Sequence, residues 1–273
     1  LSADDRFAEL GRPRNIWAVG AVQGDAERLA VIHDALAERL QPGDRIIYLG
    51  NYGAASNGSD GSMVAVVDEL LAFRRDILAL PGMMADDIIY LRGAQEEILQ
   101  KLLQIQFAPN PRDVYAWMVK QGVGALLSAY GANSDEGFVA TRDGAMTMTR
   151  WTNRLRGLLR QRPGHEKFLT VLRRAAYTER VPSGGVLFVH SGLDPSRPIG
   201  AQKDSFWWDH MGFEKLNTVY EGFTRVIRGR DPEGGGVKLN RIGVTLDGGC
   251  GAGGKLIAAC VKPDGALTEL IEV

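Results

Sequence analysis

Short apolar runs that stop at a glycine recur along the chain, and each opens into a polar loop and then a stretch with helical spacing. Ile16-Trp17-Ala18-Val19 ends at Gly20, and Ala26 to Leu40 follows with Leu29, Ile32, Leu36 and Leu40 on one face. Pro42-Gly43-Asp44 turns the chain into Arg45 to Leu49, which ends at Gly50; Ser62 to Leu78 is the second amphipathic segment, stopped by Pro81-Gly82. Asp87 to Leu91 predicts a third strand, with a helix from about Gln95 to Leu103. Strand followed by helix, repeated, predicts an α/β fold. From about Ala108 to Thr178 the chain turns helical and irregular, with Trp117, Tyr130 and Trp151, as a cap over one sheet edge would be. Strand signals resume at Val186 to Val189, Thr218 to Tyr220, Arg241 to Leu246 and Lys255 to Val261, with a hairpin turn at Lys262-Pro263-Asp264-Gly265. A purely parallel sheet does not end in a hairpin, so a mixed sheet or two packed sheets are expected.

Bulk properties exclude several functions. A net charge of -1 over 273 residues gives no general attraction to nucleic acid or to an acidic membrane. Arg150, Arg154, Arg156 and Arg160 mostly share one helical face, which reads as a solvated face. No apolar run approaches the roughly 20 residues that span a bilayer. Cys250 and Cys260 fit neither a disulfide framework nor a zinc motif, so buried free thiols and a reducing cytoplasm are expected. Leu1 to Asp5 form neither a signal peptide nor an amphipathic anchor, and a chain without an initiator Met is expected to have been trimmed, processed or cut from something longer.

In α/β sheets, ligands sit beyond the carboxyl ends of the strands. The loops there are Gly20-Ala21-Val22-Gln23-Gly24, Gly50-Asn51-Tyr52-Gly53-Ala54-Ala55-Ser56, Arg92-Gly93-Ala94-Gln95-Glu96 and Val189-His190-Ser191-Gly192-Leu193. In this order and spacing they resemble the calcineurin-like metallophosphoesterases, in the bacterial branch of PPP-type serine/threonine phosphatases and symmetrical diadenosine tetraphosphate hydrolases, and the resemblance assigns the family's fifth motif to Gly222-Phe223-Thr224-Arg225. Tyr130-Gly131, Gln202 ahead of Trp207-Trp208, Asn240-Arg241-Ile242 and the run from Leu246 to Leu256 extend the likeness over nearly the whole chain. The resemblance implies a four-layer α/β/β/α sandwich with mixed sheets, one domain over 1–273 with a helical cap insertion at about 105–180.

It also implies two divalent cations, such as manganese, iron or zinc, that activate water against phosphorus. The ligand positions it assigns are occupied by Ala21, Gln23, Asn51, Ala94, His190 and Phe223. Ala21 and Ala94 have no donor, Gln23 and Asn51 are neutral amides, and only His190 matches the family. Gln95 stands where the family's proton-donating histidine stands and cannot transfer a proton at neutral pH. Ala54 replaces that histidine's carboxylate partner, Ala55 replaces a phosphate-binding arginine, and Asp209-His210 follow Trp207-Trp208 where related phosphatases carry another. No catalytic residue and no bound metal are therefore expected, which makes the chain a degenerate member of the family, a pseudophosphatase.

Plainer readings stand beside these. Gly20, Gly24, Gly50, Gly93, Gly192 and Gly222 are expected in tight turns. His190 fits a hydrogen-bonded core histidine better than a vestigial ligand. Arg92 and Asn51 are candidate anion binders, although Arg92 would also pair with a carboxylate such as Glu96. His33 and His165 are expected on helix surfaces, and Asp25 as a helix cap. Trp207-Trp208-Asp209-His210 suits a partner patch or the core equally well. The function expected is a scaffold, subunit or regulator in a protein assembly, with a protein partner and no nucleic acid. Two alternatives are a metal-free nucleotide or phosphopeptide binder, and a residual hydrolase with one metal near His190, Asp247 or Asp25.

Overall fold

Successive residues of each central strand alternate between two apolar interiors, and that alternation builds the layers. In the computed structural model, which describes residues 6–53, 62–180 and 184–273, Ile16 and Ala18 face one core while Trp17 and Val19 face another. The first part of the chain runs β1 (Phe7–Glu9), β2 (Ile16–Val19), α1 (Ala26–Ala37), β3 (Arg45–Tyr48), α2 (Met63–Leu78), β4 (Ile88–Tyr90) and α3 (Ala94–Leu102). The cap is α4 (Pro111–Lys120), α5 (Val123–Ala129), α6 (Asp135–Asp143), α7 (Ala145–Arg160) and α8 (His165–Val171). The remainder is β5 (Ala175–Tyr177), β6 (Gly185–Val189), α9 (Ser205–Trp208), α10 (His210–Glu214), β7 (Phe223–Arg228), β8 (Gly236–Leu239), β9 (Gly243–Asp247), β10 (Ile257–Val261) and β11 (Leu267–Glu272).

The strands form two mixed sheets, ordered β11-β10-β2-β3-β4 and β1-β5-β6-β7-β9-β8. Ile16, Ala18, Ile47 and Ile257 of the first sheet meet Val186, Phe188, Ile227 and Val244 of the second in a core between the sheets. The opposite face of the five-stranded sheet, with Trp17, Val19, Tyr48 and Tyr90, packs on α1, α2 and the cap. The opposite face of the six-stranded sheet, with Leu187, Val189 and Val226, packs on Phe206 and Trp207 of α9 and Phe213 of α10. This is the α/β/β/α sandwich. Among the described residues no helix is long and apolar enough to cross a membrane.

The Asp25 cap falls where the sequence places it, and Ser62 caps the second helix. Asp25 accepts a hydrogen bond from the Arg28 amide at the start of α1, and Ser62 accepts from that of Ala65 at the start of α2. Cys250 and Cys260 are buried free thiols.

Three expectations are corrected. The strand expected at Thr218 to Tyr220 is instead the run-in to β7: Tyr220 and Phe223 exchange both backbone hydrogen bonds around Glu221 and Gly222, whose φ values of 47° and 86° make a two-residue hairpin turn. His33 is buried, its Nδ1–H donating to Glu69 at 2.6 Å while the Tyr48 hydroxyl donates to Nε2 at 2.8 Å. His165 is buried too, donating to Asp68 and accepting from the Tyr130 hydroxyl. Both have polar partners on the same side as their helix's apolar residues, so burial leaves nothing unsatisfied.

Candidate functional site at the converging strand ends

The parallel registers align the carboxyl ends of β2, β3 and β4 in one sheet, with Val19 opposite Tyr48 and Tyr48 opposite Tyr90. In the other sheet Val189 lies opposite Arg228, and Arg228 opposite Thr245. The two sets of ends meet. The Ala21 amide donates to the Gly229 carbonyl at 3.0 Å, and a Cβ on Gly20 would lie 2.1 Å from the Leu246 carbonyl oxygen, so glycine is required there.

On the β2–β4 side the loops are held by a carboxylate and by backbone. Gln23 and Asn51 are non-glycine residues in left-handed conformation, with φ of 52° and 56°, and the Gln23 amide donates to the Asn51 carbonyl at 2.8 Å. The buried Glu96 carboxylate accepts from the amides of Asn51 (3.0 Å), Tyr52 (2.9 Å) and Gly93 (2.8 Å). Burial pushes the Glu96 carboxyl above its ordinary range, and those amides oppose the shift. The Asn51 side-chain oxygen accepts from the Gln95 amide at 3.2 Å, so its amide group is part of the loop framework. Arg92 pairs with Glu97 at 3.2 Å, and the expected partner Glu96 is engaged by the amides instead. Ala94 is the first residue of α3; Ala54 and Ala55 lie outside the described residues.

On the β6–β9 side the groups are charged or ionisable. His190 is fully buried at the end of β6; its Nδ1–H donates to the Leu49 carbonyl at 2.6 Å, and its Nε2 has no hydrogen-bond partner. Burial, reinforced by the charge of Arg230 and opposed by the Leu49 bond, lowers its pKa to about 4, so the imidazole is neutral at pH 7. The His190 carbonyl accepts from the amides of Gly229 and Arg230. Asp247, at the end of β9, accepts from the Asp231 amide at 2.8 Å, the Gly249 amide at 3.0 Å and the Arg230 guanidinium at 2.8 Å.

Phe223 does not belong here. It begins β7, at the amino end of a strand whose carboxyl end faces the site, and it is buried in the apolar cluster with Leu187 and Val226. The residues that follow the carboxyl end of β7 are Gly229 and Arg230, which sequence reasoning missed. The signal was the one that located the other strand ends: Val226-Ile227 is an apolar run that closes at Gly229. Near the site, Trp207 is core, donating through Nε1 to the Arg92 carbonyl, while Trp208 is half-buried edge-on to the exposed Trp117. Asp209 caps α10 through the Gly212 amide.

These residues do not fit a dinuclear metal centre. Two dications need several anionic or imidazole donors converging on them. Of the ligand positions, only His190 supplies an imidazole, its Nε2 free of hydrogen bonds; none supplies a carboxylate, and the Asn51 oxygen already accepts from a backbone amide. Among the described residues no three His, Cys, Asp or Glu side chains gather where a metal ion could sit.

No protein-family model and no curated protein matches the sequence. Solved structures do. One, described as "a putative diadenosine tetraphosphatase", superposes over 98% of this chain and 97% of its own with a TM-score of 0.53 at 16% identity. A protein serine/threonine phosphatase from Saccharomyces cerevisiae, described as similar to human phosphatase PP5, aligns over 98% of this chain and 82% of its own at 13% identity, TM-score 0.47. At such identities the likeness is one of architecture, and with two packed mixed sheets flanked by helices the chain has the metallophosphoesterase fold.

Proposed function

We propose that the chain is a catalytically inactive metallophosphoesterase homologue that acts by binding, as a scaffold, subunit or regulator in a protein assembly. The observation that carries this reading is the organisation of the β2–β4 ends. Ala21 and Ala94 offer no donor, and the Asn51 amide and the Glu96 carboxylate are engaged in fixing the loops. An arrangement that holds its shape through its own backbone needs no metal to keep it. Gln95 supplies no proton to a leaving group, and Arg92, engaged by Glu97, is not free to grip a phosphate, which sets the anion-binding alternative behind the scaffold. Two buried thiols suit a reducing, cytoplasmic setting.

The test is hydrolysis with manganese supplied, on a phosphomonoester and on a dinucleoside polyphosphate. The expected outcome is no turnover above buffer. Manganese-dependent turnover that disappears in His190→Ala would contradict the proposal. In parallel, capture from a native extract is expected to return one reproducible protein partner.

A further inference from the structure

The strand-end cluster contains a cation of its own. Arg230 follows the carboxyl end of β7, its backbone amide bonded to the His190 carbonyl at 2.9 Å. Its guanidinium donates to Asp247 Oδ2 at 2.8 Å and to the carbonyl oxygen of Asp231. Asp247 is 1% exposed, and its remaining bonds are to the backbone amides of Asp231 and Gly249. The neighbouring Arg228 is fully buried and answers other acids, Glu214 at 2.5 Å and Asp231 at 3.2 Å. Arg230 is therefore the charged partner of the one buried carboxylate at the end of β9, and its charge also acts on His190.

From this geometry we infer that Arg230 is the resident cation of the site: a guanidinium fixed on Asp247 takes the electrostatic place of divalent ions and ties the loops after β7 and β9 together without metal, while the Arg230 backbone amide holds the residue after β6. A buried carboxylate needs a countercharge or a full set of donors, and the guanidinium supplies charge and a directed hydrogen bond to Asp247 while also donating to the Asp231 carbonyl. A dication entering beside it would meet a fixed positive charge, so the same residue disfavours metal. Arg230 holds the loops in this way whether or not the cleft has a partner.

Thermal melting of the full chain tests it, with EDTA, with manganese and with zinc, in four forms: wild type, Arg230→Met, Asp247→Asn and the double variant. Wild type is expected to melt at the same temperature under all three conditions. Arg230→Met strands a buried carboxylate and is expected to melt about 5–10 °C lower. The double variant removes charge and countercharge together and is expected to recover at least half of that loss, which lost packing alone would not do. Should Arg230→Met fail to fold, a folded double variant supports the inference equally and an unfolded one overturns it. A wild-type melting point that drops with EDTA, an Arg230→Met protein as stable as wild type, or a double variant no better than Arg230→Met would each overturn it as well.

Discussion

The ends of β2, β3 and β4 present Ala21, Gln23, Asn51 and Ala94, whereas the ends of β6, β7 and β9 present His190, Arg230 and Asp247. Each half has a buried carboxylate that gathers the amides of its loops. Glu96 serves the first half and is satisfied by three backbone amides. Asp247 serves the second with two amides and a guanidinium. The difference shows two solutions to one problem, the burial of a carboxyl group at a crowded strand end. Three amide donors satisfy Glu96 without a counterion; Asp247 has two, and an arginine completes the set. In both halves the backbone follows the path of the metallophosphoesterase fold, and buried carboxylates hold the strand-end loops in place.

Removing the organiser of the first half should have the largest effect. Glu96→Ala leaves three buried amides without an acceptor, and at about 1–3 kcal/mol each, partly relieved by entering water, the expected loss is about 4 kcal/mol in urea unfolding. Glu96→Gln retains one acceptor oxygen and should lose about half as much. A Glu96→Ala protein within about 1 kcal/mol of wild type would show that these loops do not depend on the carboxylate, and the parallel between the halves would break. Arg230→Met, which leaves two amides on Asp247, should fall between wild type and Glu96→Ala.

A smaller effect comes from His33, which lies outside both halves and serves as a control. Burial lowers its pKa to about 3, opposed by Asp34, and burial also raises the carboxyl of Glu69, so the pair does not hold the imidazole charged. The unfolded chain takes up this proton near pH 6.5 and the folded chain only near pH 3. The contribution of His33 to stability is thus complete above pH 6.5 and is lost as pH falls through that window, at up to about 1.4 kcal/mol per pH unit. His33→Gln should flatten the slope of unfolding free energy against pH by about one proton, and an unchanged slope would mean that His33 is charged in the fold.

Much of the fold was visible in the sequence. Runs such as Ile16–Val19 and Arg45–Tyr48, stopped by Gly20 and at Gly50, located the strands and the loops that face the site. Asp25 and Ser62 marked the helix starts. What was not legible has physical causes. The strand β11, Leu267–Glu272, alternates with threonine and glutamate along an exposed edge, so its apolar signal is weak. β1 and β5 are three residues each, and their pairing with distant partners leaves no local trace. His33 sits four residues after Leu29 and three before Leu36, on the buried face; its polarity points outward, but its helical position decides. Gly222-Phe223-Thr224-Arg225 stands out as a glycine motif, yet its glycine opens β7, whereas the glycine that faces the site, Gly229, closes it.

If the strand ends have exchanged metal ligation for internal organisation, the purified chain holds no metal at them. Elemental analysis settles this, on protein prepared without chelator and dialysed against manganese, iron and zinc in turn. The expected result is metal far below one ion per chain in every case, unchanged in His190→Ala. One or two ions per chain, lost in His190→Ala, would contradict it.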